Sequence, residues 1–243
     1  GTFDNVGWLA GVEADENGNG QGTMGVDFGD FNNDGNLDLV MLNYQKQPNG
    51  LYENEGNGFF KDVAFVRGMG YSLPYVGWGT DFRDVDNDGD KDVFVANGHL
   101  QDQVEKYDAT TTYAQANQLL INDGMGRFAD ELSLWDECWA AAKSSRAVAS
   151  GDLDNDGDLD LVVTNSNDTP DVLRNDGGNR NNWVLIRTIG TTSNRAGIGA
   201  RVEVRAGDLS QVDEVRAGSG YLAQNDQRVH FGLGRRTHID EIR

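Results

Sequence analysis

Three nine-residue segments gather the chain's carboxylates at spacings that suit a divalent cation. They are Asp30-Phe-Asn-Asn-Asp-Gly-Asn-Leu-Asp38, Asp84-Val-Asp-Asn-Asp-Gly-Asp-Lys-Asp92 and Asp152-Leu-Asp-Asn-Asp-Gly-Asp-Leu-Asp160. Calcium takes six to eight oxygens at about 2.3–2.6 Å. A chain curling round such an ion offers side chains at alternate places, so Asp30, Asn32 and Asp34 converge, as do Asp84, Asp86 and Asp88, and Asp152, Asp154 and Asp156. The sixth place must turn sharply, which is cheapest for glycine, and Gly35, Gly89 and Gly157 stand there. The seventh gives a main-chain carbonyl (Asn36, Asp90, Asp158), and the ninth closes the cage with Asp38, Asp92 or Asp160. An EF-hand would need an acid at the twelfth place, where Met41, Val95 and Val163 stand instead. The expectation is therefore three Ca²⁺ sites of a strand–loop–strand kind. A solvated turn would explain one such cluster, but crowding carboxylates three times over without a cation costs mutual repulsion. The first copy, with Asn32 in place of an acid, should bind most weakly.

The elements that position these loops follow from a repeat. Each nonapeptide runs into an apolar stretch ending in Asn43, Asn97 or Asn165, and then to a second landmark, Asn54-Glu-Gly, Asn122-Asp-Gly or Asn175-Asp-Gly. The step from Asn54 to Asp84 equals that from Asn122 to Asp152, whereas Asp84 to Asn122 is 14 residues longer than Asp30 to Asn54. That excess lies in residues 98–117, which reads as a surface loop with room for a short helix. Within a repeat, strands are expected near 22–29, 37–43, 49–54 and 59–65, joined by Gly/Asn/Asp turns. Four short strands per unit of this length is the pattern of a β-propeller blade. The fold class is thus all-β: blades over residues 1–178, followed by a small β domain over 179–243. In the latter, Trp183–Ile189 reads as a buried strand and Arg201–Arg205 as a half-exposed one, with similar patterns at Glu214–Arg216 and Arg228–Phe231.

Composition excludes several function classes. The chain has 243 residues, with 40 acidic against 20 basic side chains and a net charge of -20. Such a polyanion is no partner for nucleic acid or anionic lipid, and no apolar run is long enough to span a membrane. Glycine, at 32 residues against 3 prolines, fits many tight turns. The opening Gly1-Thr-Phe3 matches the end of a repeat, so a processed or excised chain is expected, extended in both directions or completed by other chains.

Other candidates for chemistry are weaker. His99, His230 and His238 are too scattered for a histidine metal site; His230 fits a structural role, and His99, opening the insertion, a place on the blade rim. Cys138, in the apolar stretch Trp135–Ala142, has no basic neighbour to lower its pKa and reads as a packed thiol. Ser144 and Ser145 lack a nucleophile elbow, and Gly197-Ile-Gly-Ala200 lacks the third glycine of a dinucleotide site. Trp8, Trp78 and Tyr75 fit inter-blade core better than a sugar platform. The eight arginines Arg187, Arg195, Arg201, Arg205, Arg216, Arg228, Arg235 and Arg236 read as a face of ion pairs, or else as a docking surface for the acidic blades or an anionic ligand.

The repeats resemble FG-GAP/VCBS repeats, the calcium-loop blades of integrin-type β-propellers. From about Asn181 the chain is similar to the ASPIC/UnbV domain of the cartilage-acidic-protein-like family, which has many bacterial members. The residues that carry this are Ser193-Asn-Arg-Ala-Gly-Ile-Gly-Ala-Arg-Val-Glu-Val204, Gly218-Ser-Gly-Tyr-Leu-Ala-Gln-Asn-Asp226 and Val229-His-Phe-Gly-Leu-Gly234, with Ser145-Arg-Ala and Asn97-Gly-His99 in support. The resemblance implies a secreted or surface-exposed calcium-binding propeller without established enzymatic activity.

The expected function is a non-catalytic extracellular module for adhesion, matrix or surface assembly, with an unknown protein or glycan ligand and a capacity for self-assembly. Two alternatives stand beside it. One is a polysaccharide hydrolase or lyase using His99, Asp102, Glu105 and Asp108 of the insertion. The other is a structural subunit of an extracellular filament.

Overall fold

The computed structural model describes residues 2–131 and 141–243. Cys138 and most of the apolar stretch around it lie outside the described residues.

The repeats fold as antiparallel sheets of consecutive strands. The first holds β1 (Val26–Gly29), β2 (Asp38–Met41), β3 (Gly50–Gly56) and β4 (Phe59–Asp62), and the second β5 (Gly77–Arg83), β6 (Asp92–Asn97), β7 (Gln118–Asn122) and β8 (Phe128–Asp130). The third holds β9 (Ser145–Gly151), β10 (Asp160–Asn165) and β11 (Asp171–Leu173). β1, β2 and β4 are shorter than the sequence pattern implied, whereas β3 runs on to Gly56. After β4 the chain turns into a helical turn at Ala64–Arg67 instead of continuing as strand to residue 65. Each nonapeptide is the hairpin connection between the first two strands of its sheet, closed by the same pair every time: Gly29 opposite Asp38, Arg83 opposite Asp92, Gly151 opposite Asp160. This shared register gives the three loops one setting.

The sheets stack as blades with β1, β5 and β9 side by side. The approach is close. A Cβ on Gly79 of β5 would stand 2.6 Å from the Arg146 carbonyl oxygen of β9, so only glycine fits. Strand alternation then decides which side chains meet. Val40 of β2 and Leu42 just beyond it face forward onto Val93 and Val95 of β6, making one core with Phe31, Phe82 and Leu120. Phe94 and Ala96 of β6 likewise face forward onto Leu161 and Val163 of β10, with Leu119 and Val148. Odd and even places along the same strand therefore serve opposite neighbours.

The insertion over 98–117 carries a 3₁₀ turn at Val104–Lys106, in line with the expected short helix. Beyond the blades, β12 (Asn182–Ile186) pairs with β15 (Val229–Gly234), and β13 (Arg201–Ala206) lies between β14 (Leu209–Glu214) and β16 (Glu241–Ile242). Val202, Val204, Phe231 and Leu233 form the core of this terminal unit. Here two expectations are corrected. The strand expected over Trp183–Ile189 ends at Ile186 and is only half-buried, with Trp183 37% exposed, because its single neighbour β15 covers one face. The strand expected at Glu214–Arg216 ends at Glu214, after which Arg216 turns towards the first blade.

Candidate metal-binding loops

The loops are preorganised by their own main chain. Asp30 accepts N–H bonds from Asp34 (3.0 Å) and Gly35 (2.9 Å), and Asp84 accepts them from Asp88 (3.1 Å) and Gly89 (2.9 Å). In the third loop Asp156 donates to Asp152 at 3.1 Å. The glycine of each turn is left-handed, with φ of 88°, 107° and 100° at Gly35, Gly89 and Gly157. A carboxylate oxygen from each of Asp84, Asp86 and Asp88 lies within 4.8 Å of the others, and the same holds for Asp152, Asp154 and Asp156. These two sets could hold a metal ion. In the first loop the amide of Asn32 reaches Glu53 at 3.2 Å.

The ninth-place aspartates do more than the spacing revealed. Asp38 accepts from the N–H of Phe31 (3.1 Å) and of Asn54 (2.8 Å); Asp92 from Val85 (3.0 Å) and Asn122 (2.9 Å); Asp160 from Leu153 (3.0 Å) and Asn175 (2.9 Å). Each thus staples its loop to the end of the third strand, while every oxygen keeps a second lone pair.

Burial makes these acids hard to ionise. It pushes the carboxyl of Asp30 up to about 6 and that of Asp38 to about 7, the neighbouring loop acids adding to the effect. Asp84 and Asp92 are driven well above the ordinary carboxylate range, again by burial first. Asp88 rises to about 6 through burial and Asp86, and Asp158 to about 7 through burial and Asp156. Oδ1 of Asp158 is buried with no hydrogen-bond donor. Crowded, buried oxygens short of donors fit a hard cation, which would satisfy them together.

The loops are clasped to one another. The fourth-place asparagines are all left-handed (φ 55°, 59° and 61° at Asn33, Asn87 and Asn155), and Asn33 and Asn87 point across the blade junctions. Asn33 donates to the Gly89 carbonyl at 3.1 Å, and Asn87 to that of Gly157 at 3.0 Å. In return Asn122 donates to the Phe31 carbonyl (2.8 Å) and Asn175 to that of Val85 (2.7 Å). Sequence reasoning passed over the fourth place, although asparagine in all three copies was the available signal.

The terminal unit sits on the loops. Arg201 donates to the Gly35 carbonyl (2.6 Å), Gly89 packs against Leu209, and Gly157 lies beneath the Trp183 ring. His230, buried as expected of a structural residue, stacks on Trp183 and bonds the Gly157 carbonyl at 3.3 Å. Asn225 bridges two blades, donating to Asp81 (2.7 Å) and accepting from the Ser150 N–H (3.0 Å). At the centre is Asp213, bonded by Lys91 and Arg216 at 3.1 Å each, with Arg83 at 3.8 Å. Burial alone would raise its carboxyl, but Lys91, Arg216 and Arg83 pull it down to about 2. Arg216 also holds Asp27 of β1 at 2.8 Å, yet burial outweighs that contact and Asp27 stays raised to about 6. Lys91 occupies an eighth place where the other loops have Leu37 and Leu159; that exception was its signal.

His99, expected on the rim, is fully buried; its Nε2 meets the Tyr44 hydroxyl at 3.2 Å and its Nδ1 accepts the Gln101 N–H. Asp108 is held by Thr110 and Lys46, which keep it well below the usual range, and Glu105 is lowered by the Tyr113 N–H it accepts. Trp8, expected in inter-blade core, is instead 74% exposed, whereas Trp78 packs edge-on to Tyr221 with Arg146 over its ring.

Family comparison agrees with this architecture. The family model described as FG-GAP-like repeat matches residues 30–95 and 84–163, and that described as ASPIC and UnbV matches 190–243. The chain belongs to this family of FG-GAP-like repeat proteins with an ASPIC and UnbV domain. Among its relatives, cartilage acidic protein 1 of Homo sapiens is 28% identical over 247 residues, covering 97% of this chain and 34% of the relative. The Mus musculus protein of the same name is also 28% identical, with 97% and 35% covered. The chain thus spans about a third of the length of the curated relatives it matches. Among the described residues no helix is long and apolar enough to cross a membrane.

Proposed function

We propose that this member of the family is a calcium-held extracellular scaffold for adhesion, matrix or surface assembly, with no catalytic centre of its own. The blades span 1–178 and the terminal unit 179–243. The observation that carries the reading is the convergence of Asp84, Asp86 and Asp88, repeated at Asp152, Asp154 and Asp156, in loops of one hairpin register. The first, third and fifth side chains of each loop face the ion, including Asp30, Asn32 and Asp34. The seventh-place carbonyls of Asn36, Asp90 and Asp158 and the spare lone pairs of Asp38, Asp92 and Asp160 complete three sites.

Calcium in this reading is structural. It neutralises buried carboxylates that would otherwise repel one another, and so locks a surface on which blades and terminal unit meet. Loops of this kind in extracellular modules bind with Kd of about 10⁻⁴–10⁻³ M, which suits a calcium-rich exterior. The test is calorimetric titration of chelator-treated protein with Ca²⁺. Three equivalents bound in the millimolar range or tighter supports the reading, and absence of heat together with an unchanged melting curve refutes it.

A further inference from the structure

The terminal unit holds a cavity of about 560 Å³ whose walls include Arg187, Arg195 and Arg228. Of the arginines clustered in this region, Arg201, Arg205, Arg216, Arg228 and Arg236 are all engaged by carboxylates. Arg187 and Arg195 have no such partner among the described residues, in a chain where acids outnumber bases 40 to 20. Two guanidinium groups without a carboxylate partner in one lining offer the donors that an anion would satisfy.

The backbone that carries them is closed before any ligand arrives. They lie on the two arms of a hairpin closed by the Gly190 N–H to the Arg195 carbonyl (3.0 Å) and by the Thr188 hydroxyl to the Ala196 carbonyl (2.8 Å). Arg228 is anchored by Asp226 at 2.6 Å and reaches the Asp152 carbonyl at 3.3 Å, so the third wall is tied to the blades. The only carboxylate in the lining, Asp226, is already neutralised by that bond.

From this geometry we infer that the cavity binds a sugar residue carrying an oxyanion, as part of a short acidic oligosaccharide. Paired guanidinium forks match carboxylate and sulfate ester oxygens bidentately. The volume lies in the range of about 300–1,000 Å³ typical of small-molecule sites, well beyond the needs of a bare inorganic anion. Ile189, 66% exposed, gives the sugar's C–H face an apolar wall, and the Gln227 amide offers both a donor and an acceptor to its hydroxyls. The net charge of -20 repels long polyanions, but at physiological salt that field fades within about 8 Å, which leaves the local arginines to dominate for a short ligand.

This inference goes beyond the calcium reading and stands on side chains outside the nonapeptides. It is tested on the full chain in saturating Ca²⁺ by calorimetry with four probes: a short sulfated dextran oligosaccharide, a short polygalacturonate oligosaccharide, neutral dextran of the same length, and inorganic sulfate. The expected result is salt-sensitive binding of an acidic oligosaccharide, none of neutral dextran, and at least tenfold weaker binding by R187A/R195A. The tighter of the two acidic probes identifies sulfate ester or carboxylate as the anion. Arg228 is left in place because it also supports the third loop. Unchanged calcium-dependent melting of the double variant keeps this test separate from the fate of the metal sites. Equal binding by the double variant, sulfate binding as tightly as the oligosaccharides, or no binding of either acidic probe overturns the inference.

Discussion

The side-chain amide of Asn87, in the second loop, donates to the carbonyl of Gly157, in the third, at 3.0 Å. Asn87 is completely buried and its backbone is left-handed at φ 59°. One residue thus serves both the turn of its own loop and the junction with the next blade.

Asn87→Ala removes the donor shared by the Gly157 and Gly178 carbonyls, leaving Gly157 only the longer His230 contact, a loss of about 1–3 kcal/mol. Asn155→Ala meets the same left-handed backbone but has no blade-to-blade bond to lose, so its cost should be smaller. Urea unfolding of both variants isolates the clasp from the backbone strain; equal destabilisation would assign the effect to the turn alone.

Removing calcium should lower the melting temperature cooperatively. In millimolar Ca²⁺, about one to ten times the Kd of such loops, each occupied site contributes about 0.4–1.4 kcal/mol. Thermal melts in excess EGTA and in millimolar Ca²⁺ measure the sum. Asp86→Asn should shrink the gap between the two curves, whereas a gap of unaltered size would place the ion elsewhere.

The pH dependence should change sign with the metal. Without it, Asp30, Asp38, Asp88 and Asp158, raised to between about 6 and about 7, keep protons in the folded state that the unfolded chain has released. The folded state then binds more protons over roughly pH 4 to 7, so stability falls as pH rises through that window. His230, which burial holds down at about 4, acts oppositely between its folded and unfolded values, as does the buried His99, but the raised carboxyls, with Asp27, Asp84 and Asp92 among them, outnumber these two groups. In Ca²⁺, protons compete with the ion, and stability should rise over the same window. Melting curves at pH 5 and 7.5, with and without EGTA, check the reversal; parallel trends would contradict it.

Asp213→Asn strips a buried counter-charge from Lys91 and Arg216, at a cost of about 3–5 kcal/mol. The pair K91L/D213L should recover part of that loss, since Leu already stands at the eighth place of the other two loops. Chemical denaturation of the single and double variants decides the matter. A double variant no more stable than the single one would mean that the cluster needs its charges for more than mutual compensation.

The repeat, the strand–loop–strand setting of the nonapeptides and the all-β class were legible because each depends on local periodicity, and Gly35, Gly89 and Gly157 mark their turns directly. What was hidden depends on contacts far apart in the chain. Nothing near Asp213 in sequence announces Lys91, 122 positions away, and nothing near Asn225 announces Asp81. His99 was misplaced on the rim because its burial comes from Tyr44 and the returning insertion, both distant in sequence. Asp38, Asp92 and Asp160 were read as ligands alone, since a staple to Asn54, Asn122 or Asn175 is visible only once the third strand has folded back.

The reciprocal clasps give the array a head and a tail. At each junction the earlier repeat offers a fourth-place amide and receives at its second-place carbonyl, while the later one does the reverse, so a unit presented upside down finds no counterpart. At the third repeat the fourth-place side chain is engaged differently, the oxygen of Asn155 accepting from Arg228 of the terminal unit, so the last of the three loops is capped by a unit of another kind.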